Sequence, residues 1–208
     1  LPRVDFQVAI GSLPLHFRGT CAAFPANSGY LVADDARIER WRSRLAAAPN
    51  RLRVGIAWRG GSLRTRQLMR SLALAHWQSL LTQPDVDFVS LQYGDVSEES
   101  AQLRDRHGIT LRSFGAELTA IEELAAAIAA LDLIISVDNT VAHLAGALGL
   151  PVWILLPFAP EWRYLRSGDT MPWYPSARLF RQSRPREWET VIAETAAALR
   201  QVKGRHGA

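Results

Sequence analysis

The sequence predicts an α/β fold in which a parallel sheet carries helices on both faces. From residue 51 onward, short apolar runs alternate with stretches of helix length, as in repeated strand–helix units. The runs Leu133–Val137 and Val152–Leu156 are almost entirely apolar rather than alternating, which is typical of strands covered on both faces. The 208-residue chain is 48% hydrophobic and 21% charged, so it is long enough for one large domain, or one domain and part of another.

The first 50 residues lack this alternation, and we predict a domain boundary near Pro49-Asn50. The last helix before that boundary has Asp34 or Asp35 as its N-cap. Its apolar residues at helical spacing share one face. The predicted elements of this part are a strand at Val4–Ile10, a helix beginning within Leu15–Phe17, a turn-rich segment at Phe24–Val32, and a helix at Asp34–Leu45 with Ile38, Trp41 and Leu45 on one face.

The remaining residues contain six predicted strands, and helices connect most of them. Arg59–Arg70 is instead a long polar loop. The predicted strands are Leu52–Trp58, Val86–Gln92, Ile109–Arg112, Leu133–Val137, Val152–Leu156 and Arg178–Phe180. The predicted helices are His76–Leu81, Glu98–Arg106, Glu117–Leu131 (with Leu118, Ile121, Leu124, Ile128 and Leu131 on one face), a helix from near Asn139 to Gly149, and Trp188–Val202.

The basic charge of the chain comes almost entirely from arginine, since Lys203 is the only lysine; the formal net charge is +4. Arginine binds phosphate in a bidentate fork, so a nucleotide, a nucleic acid or an anionic glycan is a possible partner; the alternative is arginine scattered over the surface. A single cysteine, Cys21, excludes an intrachain disulfide and a cysteine zinc site. No apolar run has the length of a membrane span, and no signal peptide is visible. We therefore expect a cytoplasmic protein, and the missing initiator Met suggests a processed, cloned or truncated piece.

The most informative turn joins the strand Leu133–Val137 to the next helix. Asp138 either caps that helix or serves a ligand. In the second interpretation, the backbone N–H groups of Thr140, Val141 and Ala142 hold a diphosphate, because a helix N-terminus favours anions. Asp138 then faces a sugar hydroxyl or orients His143, which lies one helical turn after Thr140. Gly146 and Gly149 are expected to allow close helix–strand packing and a left-handed helix end.

Two further loops follow predicted strands and add candidate ligand groups. Arg59–Ser71 is either a phosphate clamp or a solvated loop; its glycines, Gly60-Gly61, fit neither a Walker A loop nor GxGxxG. In Pro157–Pro175, aromatic rings either stack on a ligand or fill a small core. We favour the core for Trp173-Tyr174 and a ligand for Glu161-Trp162-Arg163. The side chains concerned are Arg59, Arg64, Arg66, Arg70, Trp162, Tyr164, Trp173 and Tyr174.

Four segments together resemble a known family. They are VGIAWRG, FVSLQ, LAAAIAALDLIISVDNTVAHLAGALGLPVWILLPFAPEWRY and PWYPSARLFRQ. The chain is similar to the C-terminal half of bacterial glycosyltransferases related to the ADP-heptose heptosyltransferases (glycosyltransferase family 9), and most similar to the branch linked to tetratricopeptide repeats. The pattern VDxTxAHLAGALGxPVW is the most specific, with Asn139 where Thr is commoner. The resemblance covers most of residues 51–202.

The resemblance implies a GT-B architecture, with two Rossmann-like domains and the active site between them. Residues 1–50 would be the tail of the N-terminal, acceptor-side domain and a linker, and residues 51–208 the donor-binding domain. The catalytic base would lie in the missing N-terminal domain, so the catalytic residue is unknown. The residues implied in donor binding are Asp138, Asn139, Thr140, Val141, Ala142, His143, Arg59, Gly60, Arg70, Gln92, Glu161 and Trp162.

The implied reaction moves a sugar from a nucleotide-diphosphate donor to a glycan, protein or lipid-linked acceptor. We expect no cofactor, no metal, no nucleic-acid partner and no membrane span. The alternative is a non-catalytic module that binds a nucleotide sugar or a partner protein.

Overall fold

The computed structural model describes residues 3–46, 51–61 and 67–206. Its centre is a six-stranded parallel sheet of order β3-β2-β1-β4-β5-β6, which is the Rossmann-like order. This confirms the predicted fold class. The strands are β1 (Leu52–Ala57), β2 (Val86–Ser90), β3 (Arg112–Ser113), β4 (Leu133–Val137), β5 (Val152–Leu156) and β6 (Ala177–Arg181).

Helices lie on both sides of the sheet. The α-helices are α1 (Leu13–Phe17), α2 (Asp35–Leu45), α3 (Gln67–Arg70), α4 (Gln78–Leu81), α5 (Ser97–His107), α6 (Ile121–Ala129), α7 (Thr140–Ala147) and α8 (Trp188–His206). Short 3-10 helices span Ile10–Ser12, Cys21–Ala23, Leu74–Trp77, Gly115–Leu118 and Trp162–Tyr164. No helix of the described chain is both long enough and apolar enough to cross a bilayer.

The sheet separates two apolar cores, which is why its central strands are apolar throughout. On one face, Val54 and Ile135 pack with residues of α4 and α8. On the other face, Ile134 and Ile154 pack with residues of α2, α6 and α7. Successive side chains of a strand point to opposite faces of the sheet. Both the odd-numbered and the even-numbered residues of a central strand must therefore be apolar.

Helix α2 joins the second of these cores, as its apolar spacing predicts. Asp34 is the N-cap and accepts a hydrogen bond from the Arg37 N–H at 2.8 Å. Trp41 and Leu45 are buried. The Trp41 indole N–H donates to Glu123 on α6 at 3.0 Å, so α2 is held against the sheet domain. The boundary predicted near Pro49-Asn50 lies outside the described residues.

The strand predicted at Val4–Ile10 is wrong. Residues 3–9 are irregular, and the side chains of Val4, Phe6 and Val8 are exposed rather than packed in a core. A strand needs a neighbour to satisfy its backbone groups, and no strand of the described chain pairs with this segment. The third strand was also misplaced. It is Arg112–Ser113 rather than Ile109–Arg112, because α5 ends at Gly108 in the left-handed conformation (φ 65°) and the next residues lead back to the sheet.

The single helix predicted at Glu117–Leu131 is two elements. A 3-10 helix ends at Leu118, and the extended backbone of Ala120 precedes α6. The apolar spacing runs across this break, so periodicity could not reveal it. Ile121, which we placed on the core face, is 49% exposed at the start of α6.

Candidate functional site

The strand order reverses between β1 and β4, and their carboxyl ends define the candidate site. The chain leaves β1 towards β2 and leaves β4 towards β5, which opens a crevice between the two loops. Gly60 follows β1 and lies against the loop after β4, since a Cβ on it would be 2.5 Å from the Asp138 carbonyl oxygen. The Asn139 amide N–H donates to the Arg59 carbonyl at 3.1 Å. The two loops therefore form one rigid rim.

Asn139, not Asp138, caps α7. Its Oδ1 accepts from the N–H groups of Val141 at 2.9 Å and Ala142 at 3.2 Å, and from the Ser136 hydroxyl at 2.9 Å. The capping interpretation of Asp138 is therefore wrong. Two of the three N–H groups predicted to hold a diphosphate are already bonded to Asn139. Thr140, the first residue of α7, is exposed.

Asp138 lies at the centre of a buried polar network. It is 1% exposed, and its Oδ2 accepts from the Arg70 guanidinium at 2.8 Å. Its Oδ1 accepts from the Tyr164 hydroxyl and lies 3.4 Å from Nε2 of His143. Burial alone would raise the pKa of Asp138, but hydrogen bonds from His143 and Tyr164 and the charge of Arg70 outweigh it and hold that pKa below its ordinary value. Asp138 therefore orients His143 and Arg70, and its oxygens are not open to a sugar hydroxyl.

Two tyrosines fix the ring of His143. Burial and the Asp138 charge raise the pKa of Tyr164, so its hydroxyl keeps its proton and donates it to Asp138. Towards His143 Nε2, at 3.4 Å, Tyr164 then acts as acceptor. The Tyr174 hydroxyl lies 3.2 Å from Nδ1, and the ring of Tyr174 stacks on that of Tyr30 with centroids 6.4 Å apart. The two hydroxyls therefore hold the imidazole ring of His143 from both of its nitrogens.

A cleft of about 660 Å³ opens beside α7, at the carboxyl ends of β1, β2 and β4. Its wall is apolar on the side of α6 and polar around the rim. Gln92 Oε1 accepts the N–H groups of Trp58 at 2.9 Å and Arg59 at 2.7 Å, which fixes the rim. The apolar residues are Leu91, Leu118, Ile121, Leu124 and Val141, and the polar ones include Arg59, Gln92, Asp95, Asn139 and Thr140.

The cleft brings together only some of the predicted site residues. Arg59 lines it, and its guanidinium pairs with Glu99 at 3.3 Å. Glu161 and Trp162 follow β5 and do not line it. Arg64 and Arg66 lie outside the described residues. Sequence analysis did not predict that Leu118, Ile121 and Leu124 line the cleft, because their apolar spacing is also typical of a helix face packed in a core.

In the aromatic segment after β5, Tyr164 and Tyr174 are buried, whereas Phe158 and Trp162 are about half exposed. Tyr164, for which both a stacking role and a core role were open, is fully buried, in agreement with the core role. Tyr174 belongs to the core, as we favoured, and Trp173 packs edge-on against Phe24 with ring centroids 4.9 Å apart. Trp162 remains 53% exposed.

Gly149 and Gly146 serve different purposes. Gly149 has φ 74°, which confirms the predicted left-handed helix end. Gly146 faces a ring rather than a strand, since a Cβ on it would lie 2.4 Å from Cγ of Tyr174. The expectation of close helix–strand packing at Gly146 is therefore corrected to packing of α7 against Tyr174.

Replacing Asn139 with Ala is expected to lower the free energy of unfolding by about 0.5–2 kcal/mol, the usual effect of losing a cap. The loss should lie near the upper end, because the amide also joins Ser136 and the Arg59 carbonyl. Urea denaturation measures it. Asn139→Asp keeps the capping oxygen and should lose less; equal losses in the two variants would argue against the cap.

Comparison with known proteins supports the fold. No family model matches the chain. It is 34% identical over 200 residues to Protein FlbA of Caulobacter vibrioides, a match that covers 95% of this chain and 33% of FlbA. The chain thus spans about a third of the length of this relative.

Two solved structures share the architecture. The E. coli ADP-heptose LPS heptosyltransferase II superposes with a TM-score of 0.56 at 16% identity, covering 86% of this chain and 54% of that one. The glycosyltransferase of family 9 from Veillonella parvula superposes with a TM-score of 0.54 at 15% identity, covering 84% and 47% respectively. At these identities the likeness establishes the fold. The chain spans about half of each structure.

Proposed function

We propose that the chain is the donor-binding, C-terminal part of a bacterial cytoplasmic glycosyltransferase of family 9, in the branch that carries tetratricopeptide repeats. The observation that carries this proposal is the cleft at the β1–β4 switch point. Its apolar wall and polar rim match the two ends of a nucleoside diphosphate. The likeness to glycosyltransferase structures supports the same class of ligand.

In this proposal the nucleoside lies against Ile121 and Leu124, and the diphosphate lies beside Thr140 at the start of α7. The helix dipole and the Thr140 hydroxyl favour the anion, and Arg59 supplies positive charge at the rim. Asn139 Oδ1 already holds the N–H groups of Val141 and Ala142, so Thr140 is the residue of α7 that we propose to meet the phosphate.

The reaction would move the sugar from the nucleoside diphosphate to an acceptor hydroxyl. A general base removes the proton of that hydroxyl as the new glycosidic bond forms. The bond between the sugar and the diphosphate breaks, and the N-terminus of α7 and arginine stabilise the charge on the departing diphosphate. We expect the base to come from the preceding domain, with residues 1–50 as its tail.

One observation favours a second candidate function, that of a non-catalytic module that binds a nucleotide sugar. Asp138, the carboxylate at the end of β4, is buried with both oxygens bonded. It is therefore not placed to act as a base. Sugar transfer by the longer protein would favour the enzyme, and tight donor binding with no turnover would favour the module.

Calorimetry with ADP, UDP and GDP tests donor binding by this chain. Ile121→Glu places an acid in the cleft, and we expect it to weaken nucleotide binding about tenfold or more through repulsion of the diphosphate. Val32→Glu makes the same charge change at a fully exposed residue away from the cleft and is the matched control. The proposal fails if no nucleotide binds, or if both variants bind as the natural chain does.

A further inference from the structure

A short segment before α2 crosses the far end of α7. Residues 24–31 lie against the C-terminal end of that helix, and we call them the strap. The N–H groups of Tyr30 and Leu31 donate to the Ala147 carbonyl at 2.7 and 2.9 Å. No residue of the strap lines the cleft. The strap is therefore fixed to the helix that begins at the candidate site, but at the opposite end of it.

Tyr174 links the strap to the side of α7. The ring of Tyr30 stacks on that of Tyr174 with centroids 6.4 Å apart and an angle of 29° between the planes. On α7, a Cβ on Gly146 would lie 2.4 Å from Cγ of Tyr174. Phe24 of the strap packs edge-on against the neighbouring Trp173, with ring centroids 4.9 Å apart. Because Tyr174 is only 8% exposed and closely packed, a displacement of the strap would displace its ring as well.

A row of polar contacts runs from Tyr174 to the turn after β4. The Tyr174 hydroxyl lies 3.2 Å from Nδ1 of His143, and Nε2 of the same ring lies 3.4 Å from Oδ1 of Asp138. Both nitrogens of His143 thus face protein groups rather than a ligand. Asp138 directly precedes Asn139, whose side chain caps α7 and bonds the Arg59 carbonyl. The contacts therefore reach from the strap to the rim of the cleft.

Burial makes the Tyr174 hydroxyl important in this row of contacts. Burial raises the pKa of Tyr174, so the hydroxyl keeps its proton and can bond the imidazole. Polar contacts are stronger in a low-dielectric interior, and a group that loses its partner there is costly. Without this hydroxyl, Nδ1 of His143 would lose its partner, and the ring would no longer be fixed from both sides.

We propose that Tyr30 and Tyr174 are positioning residues for the candidate site. The strap holds Tyr174, and Tyr174 holds the ring of His143 against Asp138. This fixes the backbone of the next two residues, which the proposed function places beside the diphosphate, and the inference therefore rests on that function. Coupling between two sites is reciprocal, so a bound nucleotide should stabilise the strap by the factor with which the strap strengthens nucleotide binding.

Calorimetry on Tyr174→Phe tests the row of contacts. The variant keeps the ring and removes the hydroxyl. We expect ADP, UDP or GDP, whichever the natural chain binds most tightly, to bind it about three- to tenfold more weakly. Thr195→Val is the matched control, because Thr195 is fully buried and its hydroxyl donates to the Val191 carbonyl at 2.7 Å on α8, away from the cleft. The control also loses a buried hydroxyl bond and should keep its nucleotide affinity.

Two spectroscopic measurements distinguish positioning from a general loss of stability. In NMR spectra, Tyr174→Phe and Tyr30→Ala should each shift the imidazole nitrogen resonances of His143, whereas Thr195→Val should leave them unchanged. Amide hydrogen exchange reports local opening of the strap. Exchange of the Tyr30 and Leu31 amides should slow when the nucleotide saturates the natural chain, and this slowing should be smaller in Tyr174→Phe.

The outcomes separate this inference from the proposed function. If the natural chain binds a nucleotide and Tyr174→Phe binds it equally well, the positioning role is overturned and the proposed function stands. Equal losses of affinity in Tyr174→Phe and Thr195→Val, or unshifted His143 resonances, would also overturn the positioning role. If no nucleotide binds the natural chain, the proposed function is overturned and the coupling of the strap to a nucleotide with it.

Discussion

Replacing Asp138 with Asn is expected to destabilise the protein by about 3–5 kcal/mol, because the variant leaves Arg70 buried without its counter-charge. The side chains of Arg70 and Asp138 are only 13% and 2% exposed, so water cannot replace the lost partner. Chemical denaturation measures the change.

A double variant distinguishes the effect of an unpaired buried charge from the other effects of the Asp138 substitution. Asp138→Asn/Arg70→Gln removes both charges, and it should be more stable than Asp138→Asn alone because no unpaired charge remains buried. If the double variant is as unstable as the sum of the two single variants, the ion pair is not the source of the effect.

The pH dependence of stability follows from the same carboxylate. The pKa of Asp138 is lowered in the folded protein, so its contribution is complete above the unfolded value of about 3.9. It is lost as the pH falls through the folded pKa. The stability difference between the natural chain and Asp138→Asn should therefore shrink below about pH 4. A difference that stays constant between pH 6 and pH 3 would contradict the lowered pKa.

Replacing Gly149 with Ala is the second change with a large expected effect, a loss of about 3 kcal/mol or more. Gly149 has φ 74°, and a Cβ on it would lie 1.6 Å from the Ser28 carbonyl oxygen. The N–H groups of Tyr30 and Leu31 bond the Ala147 carbonyl close by, at 2.7 and 2.9 Å. The clash should therefore displace residues 28–31 and take Tyr30 away from Tyr174.

Gly168 provides the matched control for Gly149. It also has a positive φ, 87°, but nothing lies within 4 Å of a Cβ built on it. Gly168→Ala should show only the backbone strain of a left-handed alanine, about 1–2 kcal/mol. If the two alanine variants lose equal stability, close approach to Ser28 is not important.

Local patterns predicted much of the fold. Strands β4 and β5 and helix α2 match the predicted ranges closely, because an apolar run or a capped amphipathic stretch is decided by nearby residues. Val4–Ile10 has the same local pattern as a strand but no neighbouring strand to pair with. The break before α6 was invisible because apolar spacing continues across it.

The cleft lies beside the turn that the sequence singles out, but the contacts around that turn could not be predicted. In the turn after β4, the polar residues Asp138, Asn139 and Thr140 interrupt an otherwise apolar stretch of sequence. Because β4 lies next to the point where the strand order reverses, this turn lies at the rim of the cleft. The contacts of Asp138 depend on partners distant in the sequence, namely Arg70 and Tyr164. No local pattern connects these residues.

The most direct measurement is a crystal structure of the chain with the nucleoside diphosphate that calorimetry selects. We predict the base against Ile121 and Leu124 and the diphosphate beside Thr140, with the rim from Arg59 to Asn139 around it. A nucleotide bound on another surface, or a cleft that stays empty at saturating nucleotide, would contradict the account.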